Sequence, residues 1–327
     1  MNFKSAIVAA LALAAFGCNV EPEESSPEDA SDDTAAPFEE EATASTEEAI
    51  DDITSCANQC DDKTMIIGCD DRTRYNGTTL GVAPWKHVGR LSNGCTGTLI
   101  GDRAVLTAAH CLYDDNGFFA GPIGFSLGQT SSCKKPYGTQ YVQTAVIPHE
   151  YTVTSGGLAG KAWDYAVVIL NAAPPNAEPM DYGYETWSNL STMSSLSIGY
   201  PGSKAEGSLW STGSKDFLGR WLDPVDSNRS GVLYVNNDGE GGQSGSPVYT
   251  YYLGARKLVG VLIGSPEADC QAGRLWAARI VPETEDRIDL WKTSPTAPTF
   301  PSKFKVFGGG QIKPAEAPPL NCIDNEG

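Results

Sequence analysis

The chain has 327 residues, of which 40% are hydrophobic, enough for one large or two medium globular domains. Its formal net charge of −18 arises mainly in one stretch, since residues 19–62 hold 16 acidic residues and no Lys or Arg. No cluster of basic residues is present, which excludes a nucleic-acid partner. The 35 Gly and 21 Pro, without long apolar helical patterns, favour β-structure with many turns.

The chain opens with a predicted export signal over residues 1–18. Lys4 provides a positive charge, and the apolar run 6–16 is too short for a membrane-spanning helix. Gly17-Cys18 at its end is typical of a bacterial lipoprotein signal, in which Cys18 is lipidated; ordinary signal-peptidase cleavage nearby is the alternative. We therefore expect a secreted or cell-surface protein, with membrane anchorage through Cys18 where lipidation occurs.

Residues 19–64 are predicted to form a disordered acidic segment, because their composition buries too little apolar surface to offset the entropy of ordering. Such a segment suits a tether, a pro-segment or both. Eight further cysteines follow the export signal, and an even number after export indicates disulfides rather than a metal site. The sequence leaves most of their pairing open, and we expect Cys322 to pair with Cys56, Cys60 or Cys270.

The middle of the chain has the sequence pattern of an all-β domain. Apolar runs of four to eight residues recur between Gly, Asn, Asp and Pro turns, which indicates the strands of a barrel or sandwich. Residues 172–179 are predicted to connect two halves of about 65–175 and 180–292, and residues 283–291 to form a short closing helix. The Pro- and Gly-rich residues 293–327 are predicted to be an irregular extension.

Three segments carry residues suited to acyl transfer. His110 lies in Leu-Thr-Ala-Ala-His-Cys, Asp164 precedes an apolar strand, and Ser244 lies in Gly-Gly-Gln-Ser-Gly-Ser-Pro. A Ser hydroxyl needs a base to take its proton as it attacks, and His suits that task because its pKa lies near neutral pH. A carboxylate behind the His fixes its tautomer.

Each of these three residues alone also has an ordinary structural explanation, as a packing His, a turn Asp and a loop Ser. Their occurrence in the order His, Asp, Ser, separated by 54 and 80 residues, predicts a catalytic triad.

These segments occur in register with further motifs. The run 66–74 (Ile-Ile-Gly-Cys-Asp-Asp-Arg-Thr-Arg), the run 95–101, the segments around His110 and Ser244, and the Gly-Tyr-Pro-Gly at 199–202 resemble the chymotrypsin-like serine proteases, in particular the bacterial V8-type glutamyl endopeptidases. The resemblance implies that residues 65–292 form two antiparallel trypsin-like β-barrels with the active site in the cleft between them.

The resemblance also implies roles for individual residues. His110 would be the general base, Asp164 its orienting carboxylate and Ser244 the nucleophile. The backbone N–H groups of Gly242 and Ser244 would form the oxyanion hole.

The resemblance further implies a disulfide between Cys95 and Cys111, next to the catalytic His. It implies that a pro-segment is removed near Met65, after which the new amino group would complete the enzyme. With a lipid on Cys18, that cleavage is expected to separate the anchor from the enzyme.

The sequence departs from the glutamyl endopeptidases in the specificity pocket. Leu262 stands where those enzymes have a His, and Gly239 where they have a Thr, so two polar partners of a Glu side chain are missing. Asp238 lies near the position at which trypsin-like enzymes hold a basic side chain, and a turn role in Asn-Asn-Asp-Gly is the alternative. With Leu262 and Gly264 as further pocket residues, a preference for Glu, basic or small apolar residues stays open.

The sequence thus predicts an exported serine endopeptidase that acts on polypeptides as a monomer, without a cofactor. Calcium at Asp114-Asp115-Asn116 has little support, because three polar residues in a turn are usually only solvated. The alternative function is a catalytically silent binding protein or adhesin that keeps the protease fold, against which the intact triad counts. An esterase is disfavoured because its His follows the nucleophile in sequence.

Overall fold

The computed structural model describes residues 57–61, 63–75, 82–114, 116–119, 122–154, 157–294 and 304–308, all within a compact unit that spans residues 50–327. The predicted export signal with Cys18, most of the acidic segment, and Cys56 and Cys322 lie outside the described residues. Within the described part of the chain, no helix is long and apolar enough to cross a membrane.

The described chain consists mainly of short β-strands. In chain order they are β1 (Gln59–Cys60), β2 (Thr64–Ile66), β3 (Thr73–Arg74), β4 (Val88–Leu91), β5 (Thr96–Leu99), β6 (Ala104–Thr107), β7 (Tyr113–Asp114), β8 (Gly117–Phe118), β9 (Gly124–Leu127), β10 (Gln140–Pro148), β11 (Ala166–Leu170), β12 (Ser194–Gly199), β13 (Trp210–Ser211), β14 (Lys215–Leu222), β15 (Gly231–Val235), β16 (Gly239–Glu240), β17 (Pro247–Tyr252), β18 (Ala255–Gly264), β19 (Leu275–Arg279) and β20 (Phe304–Gly308). The helices are α1 (His149–Val153), α2 (Gly157–Lys161), α3 (Trp187–Leu190), α4 (Glu267–Gln271) and α5 (Pro282–Thr293), with 3-10 turns at Trp85–His87 and Ala109–Cys111.

Six strands close the first barrel. Their antiparallel order is β4, β5, β6, β11, β10 and β9, and β9 pairs again with β4. Strands β6 and β11 are buried at every position, in keeping with their continuous apolar runs. Val167 pairs with Leu106 and Val168 with Val105. This pair of strands matters for the site, because His110 follows β6 and Asp164 precedes β11.

Six further strands close the second barrel in the order β12, β17, β18, β19, β15 and β14, and β14 pairs back with β12. Two closed antiparallel barrels confirm the predicted all-β, trypsin-like fold class. Strand β11 ends at Leu170 and β12 begins at Ser194, on either side of the predicted connector.

Helix α5 packs on the first barrel after β19. Pro282 occupies its first turn and Glu283 and Glu285 lie near its positive end, which favours a helix start there. Ile288 and Trp291 are buried in the main core. The sequence predicted this helix, with bounds one residue too late at the start and two too early at the end.

The extension predicted to be irregular contributes strand β20, which pairs with β10 from Thr144 to Pro148. The prediction is wrong at these residues. The run Phe-Lys-Val-Phe at 304–307 has high strand propensity, although Pro and Gly surround it in the sequence. An edge of the first barrel offers it a partner strand.

A small sheet of β1, β2 and β16 attaches the start of the domain to the second barrel. Met65 pairs with Gly239 two strand positions before the loop that carries the predicted nucleophile. A disulfide between Cys60 and Cys270 ties β1 to α4. The expected pairing of Cys322 with Cys60 or Cys270 is therefore wrong, because those two cysteines pair with each other across 210 residues. Cys69 and Cys133 are also disulfide-bonded.

Candidate active site

His110 lies in the 3-10 turn that directly follows β6. The disulfide between Cys95 and Cys111, with a Cα–Cα distance of 6.1 Å, fixes this turn to the start of β5. The pairing implied by the family resemblance is thus present. The His110 side chain is 30% exposed, so its ring can meet a substrate while the turn itself is held by buried neighbours.

Asp164 is fully buried immediately before β11. Because Ala166 pairs with Thr107, the barrel register brings Asp164 beside the turn that holds His110. Its Oδ2 lies 2.9 Å and its Oδ1 3.1 Å from Nδ1 of His110. The backbone N–H of His110 donates to Oδ1 at 3.0 Å, which fixes the carboxylate as well as the ring.

The charge state of this pair follows from its surroundings. Burial raises the pKa of Asp164, but the His110 ring, its hydrogen bonds and Lys161 together lower the pKa below the ordinary value. Lys161 Nζ lies 3.3 Å from Oδ2. Two carboxylate oxygens facing Nδ1 require the ring hydrogen there, which leaves Nε2 free to accept a proton.

Glycines on either side of Ser244 allow its loop to approach the first barrel. Gly242 and Gly245 have φ of 98° and 88°, in the left-handed region that favours glycine. A Cβ on Gly245 would lie 2.1 Å from the Thr96 carbonyl oxygen, and one on Gly242 would lie 2.4 Å from that of Tyr200. No other residue type fits either position without moving backbone.

Hydrogen bonds hold this loop beside the His110 turn. The Thr96 backbone N–H donates to the Ser244 carbonyl at 2.9 Å, and the Thr96 hydroxyl donates to the Gly242 carbonyl at 2.8 Å. Cys111 Sγ lies 3.7 Å from the same Ser244 oxygen. The structure thus places Asp164 against His110, and the loop that carries Ser244 beside the turn that carries His110.

The amide groups of this loop fall into two sets. Those of Gln243 and Gly245 donate to the carbonyls of Glu240 and Leu262, at 2.9 and 2.8 Å. Those of Gly242 and Ser244 donate to no acceptor among the described residues. The free N–H groups of Gly242 and Ser244, one on each side of Gln243, can donate hydrogen bonds to a developing negative charge.

The three predicted pocket residues lie around the start of the domain. Asp238 is fully buried and accepts the Ile67 N–H at 2.9 Å through Oδ1. Its Oδ2 has no hydrogen-bond partner among the described residues, and burial raises the pKa of Asp238 to about 6. Leu262 is buried in an apolar cluster against which Met65 packs. Met65 also lies beside Gly264, within 3.3 Å of where a Cβ would be.

A buried ion network behind the loop was not found from the sequence. Arg72 is 6% exposed and donates to Glu240 at 2.9 Å and to Gln243 at 2.7 Å. It also binds Asp70 through two hydrogen bonds of 2.8 Å. Glu240 in turn accepts the Ser203 hydroxyl at 2.8 Å. No local pattern signals this network, because Arg72 and Glu240 are 168 residues apart.

Groups of side chains that could hold a metal ion together are nearly absent from the described part of the chain. The single group of three potential ligands is Cys95, His110 and Cys111, and its two sulfurs are bonded to each other. In the Asp114-Asp115-Asn116 loop, the Asp114 carboxylate accepts the Asn116 N–H at 2.8 Å, which is the hydrogen bond of an ordinary turn.

Double β-barrels with a His–Asp pair facing a glycine-flanked Ser are the architecture of the serine peptidases of the trypsin class. A family model of the trypsin-like peptidase domain matches residues 95–261. The chain belongs to this family, whose members generally need no cofactor.

Relatives support the more specific resemblance. The chain is 34% identical over 190 residues to the glutamyl endopeptidase of Bacillus licheniformis, which covers 56% of this chain and 54% of that protein. It is also 34% identical over 200 residues to a Bacillus subtilis protein named extracellular metalloprotease, covering 57% and 58%. The chain thus spans a little over half the length of these relatives.

A solved structure of a Glu endopeptidase in complex with MPD has the same fold. Its TM-score is 0.57 at 22% sequence identity, and the match covers 70% of this chain and all of that one. The resemblance to glutamyl endopeptidases that the sequence motifs indicated is confirmed by these relatives.

Proposed function

We propose that this protein is an exported serine endopeptidase that hydrolyses polypeptides through Ser244, His110 and Asp164. The observation that carries the proposal is the 2.9 Å contact between His110 Nδ1 and the buried Asp164 carboxylate, beside a loop with two free amides. Among the described residues, the Ser244 hydroxyl makes no hydrogen bond. Catalytic hydrogen bonds are often long in a ligand-free site and tighten with substrate.

The proposed reaction has two halves. Ser244 Oγ attacks the carbonyl carbon of the scissile bond while His110 Nε2 takes its proton, and Asp164 stabilises the imidazolium that forms. The oxyanion accepts hydrogen bonds from the N–H groups of Gly242 and Ser244. His110 then gives its proton to the leaving amine as the acyl-enzyme forms. A water molecule, activated by the same His, releases the acyl group by the reverse steps.

A covalent fluorophosphonate probe tests this proposal. We expect labelling of matured protein at one residue, identified as Ser244 by peptide mass spectrometry, and none in Ser244→Ala. Ser214→Ala, which removes an exposed hydroxyl just before β14, serves as the matched control and should label normally. If matured, folded protein is not labelled, the catalytically silent binding protein is favoured instead.

The relative from Bacillus licheniformis is named for cleavage at Glu, but one feature of this chain opposes a simple transfer of that preference. Leu262 offers no charge to a Glu side chain, and an unpaired buried carboxylate is costly. A cleavage-site profile on a mixed peptide library assigns the pocket. Cutting after Glu would require a cation from the amino group freed near Met65. Cutting after Lys or Arg would assign Asp238, and cutting after small apolar residues would assign Leu262 and Gly264.

We also propose that cleavage near Met65 matures the enzyme without releasing the residues before it. Lys63 is exposed, whereas Ile66 is buried, so a protease can reach the chain just before the domain. Cys60 lies on the N-terminal side of that point and is bonded to Cys270 within the domain. Under this proposal, cleavage alone does not separate the anchor from the enzyme.

Gel electrophoresis of matured protein tests this retention. Without reductant, the cleaved chain should migrate as one species, and with reductant it should lose a fragment that contains Cys60. Cys60→Ala combined with Cys56→Ala, which removes both cysteines of the fragment, should release it without reductant. Release of the fragment from the wild type without reductant would contradict the proposal.

A further inference from the structure

A cavity of about 570 Å³ lies on the second barrel, and none of the proposed catalytic residues lines it. We call it the arginine pocket. Arg220 and Leu222 reach it from β14, Arg279 from the end of β19, and Tyr184 and Trp187 from the segment around α3. Its remaining lining residues are uncharged, so the pocket contains two cations and no acidic side chain.

Arg279 is a buried cation without an ion-pair partner. The residue is 2% exposed. Nη2 donates to the Glu185 backbone carbonyl at 2.6 Å, and Nε has no partner among the described residues. Burial lowers the pKa of Arg279 to about 10, with the charge of Arg220 acting in the same direction, so the group is still charged at neutral pH.

Arg220 supplies the second charge. Its guanidinium lies 5.3 Å from the centre of the Trp187 ring, and within the described residues it forms no ion pair. The neighbouring carboxylate of Glu185 acts to raise the pKa of Arg279, but it forms no ion pair with either arginine, since it accepts hydrogen bonds from Thr186 and Asn189 and pairs with Lys257 at 3.4 Å. The pocket therefore presents two guanidinium groups that form no ion pair among the described residues.

We infer that the arginine pocket binds a dianionic phosphate group carried on a larger molecule. Guanidinium groups recognise phosphate through paired N–H donors. Two unpaired cations match a dianion, whereas a carboxylate would neutralise only one. The hydroxyl of Ser188 and the amide of Asn228 offer further uncharged donors, and Trp187 offers a flat wall. A cavity of this volume suits a small organic molecule, since inorganic phosphate alone would leave most of it empty.

Calorimetric titration of the full chain at pH 7.5 and constant ionic strength tests the inference. The probes are phenyl phosphate, inorganic phosphate, benzoate as a monoanion of similar shape, and phenol as a neutral control. We expect one phenyl phosphate per chain, at least 10-fold weaker binding of benzoate, and no binding of phenol. Binding of inorganic phosphate as tight as that of phenyl phosphate would support the anion site but overturn the inference that the phosphate is carried on a larger molecule.

Variants assign the binding to the pocket. Arg220→Gln changes an exposed residue and should weaken phenyl phosphate at least 10-fold, and Arg279→Gln should abolish the binding. Should Arg279→Gln not fold, Arg220→Gln carries the test alone. Arg103→Gln, an exposed arginine on the first barrel, is the matched control and should leave binding unchanged. The inference is overturned by absence of phenyl phosphate binding, by equal binding of benzoate, or by equal weakening in Arg103→Gln.

Discussion

Arg72 and Arg279 are both almost completely buried, but the groups that surround their two charges differ. Arg72 meets two carboxylates, and although burial lowers its pKa, Asp70 and Glu240 raise it above the ordinary value. Arg279 meets a backbone carbonyl and a second cation, and its pKa is lowered. The first arginine completes an internal network beside the nucleophile loop. The second retains capacity for a ligand from outside.

The same contrast separates two buried carboxylates near the site. Asp164 has hydrogen-bond donors on both oxygens, while Asp238 has a donor on only one. A buried charge with every partner in place is part of a fixed arrangement. A buried polar atom without a hydrogen-bond partner destabilises the folded state, and protonation or a new partner removes that cost.

The largest effect is expected where the pairing is complete. Asp164→Asn keeps the shape of the side chain but removes the charge and the preference for the His110 tautomer with hydrogen on Nδ1. We expect kcat/KM for a peptide substrate to fall roughly 10⁴-fold, as for this change in other Ser-His-Asp triads. Thermal unfolding should show a folded protein. A fall of less than about 10-fold would separate Asp164 from the catalytic machinery.

The two arginines should differ in their contribution to the free energy of unfolding. Arg72→Met leaves the buried Glu240 without its cation, although Asp70 keeps Lys204, and should destabilise the protein by about 3–5 kcal/mol. Arg279→Met removes an unpaired buried cation and should change stability by less than about 1 kcal/mol. Denaturant unfolding of both variants in a Ser244→Ala background measures the difference without self-digestion. Equal destabilisation by the two substitutions would contradict the proposed difference between the paired Arg72 and the unpaired Arg279.

Asp238 should give stability a pH dependence of a defined sign. The unfolded chain releases the proton near the ordinary value of 3.8, whereas the folded protein holds it up to about pH 6. Between these values the folded state binds more protons, so stability falls as the pH rises and levels off above about 6. Asp238→Asn keeps the acceptor for Ile67 and should remove this fall.

The magnitude expected from that pKa difference is about 2–3 kcal/mol at neutral pH. It is measured as the difference in unfolding free energy between Asp238→Asn and the parent, from pH 4 to pH 8. A difference in unfolding free energy that does not grow between pH 4 and pH 6 would contradict the raised pKa of the buried Asp238.

Much of the site was predictable because its signals are local. His110 and Ser244 lie in short, glycine- or alanine-rich runs, and Asp164 precedes an apolar strand, so residue type and order together indicated their chemistry. The glycines around Ser244 could be interpreted from the sequence because only glycine tolerates the backbone that such a loop needs. Strand β20 was missed because its five residues are surrounded by Pro and Gly, and its partner β10 is distant in sequence.

By itself, the sequence indicated an all-β chain with His, Asp and Ser in the order of a serine peptidase, and its family resemblance implied two barrels. Periodicity, turn residues and motif order are properties of neighbouring residues, and they need no knowledge of distant contacts. Only the tertiary structure decided which charges meet. The Arg72–Glu240 pair, the Cys60–Cys270 disulfide and the arginine pocket join residues far apart in the chain. Closure of the barrels places them together, and no local pattern encodes that closure.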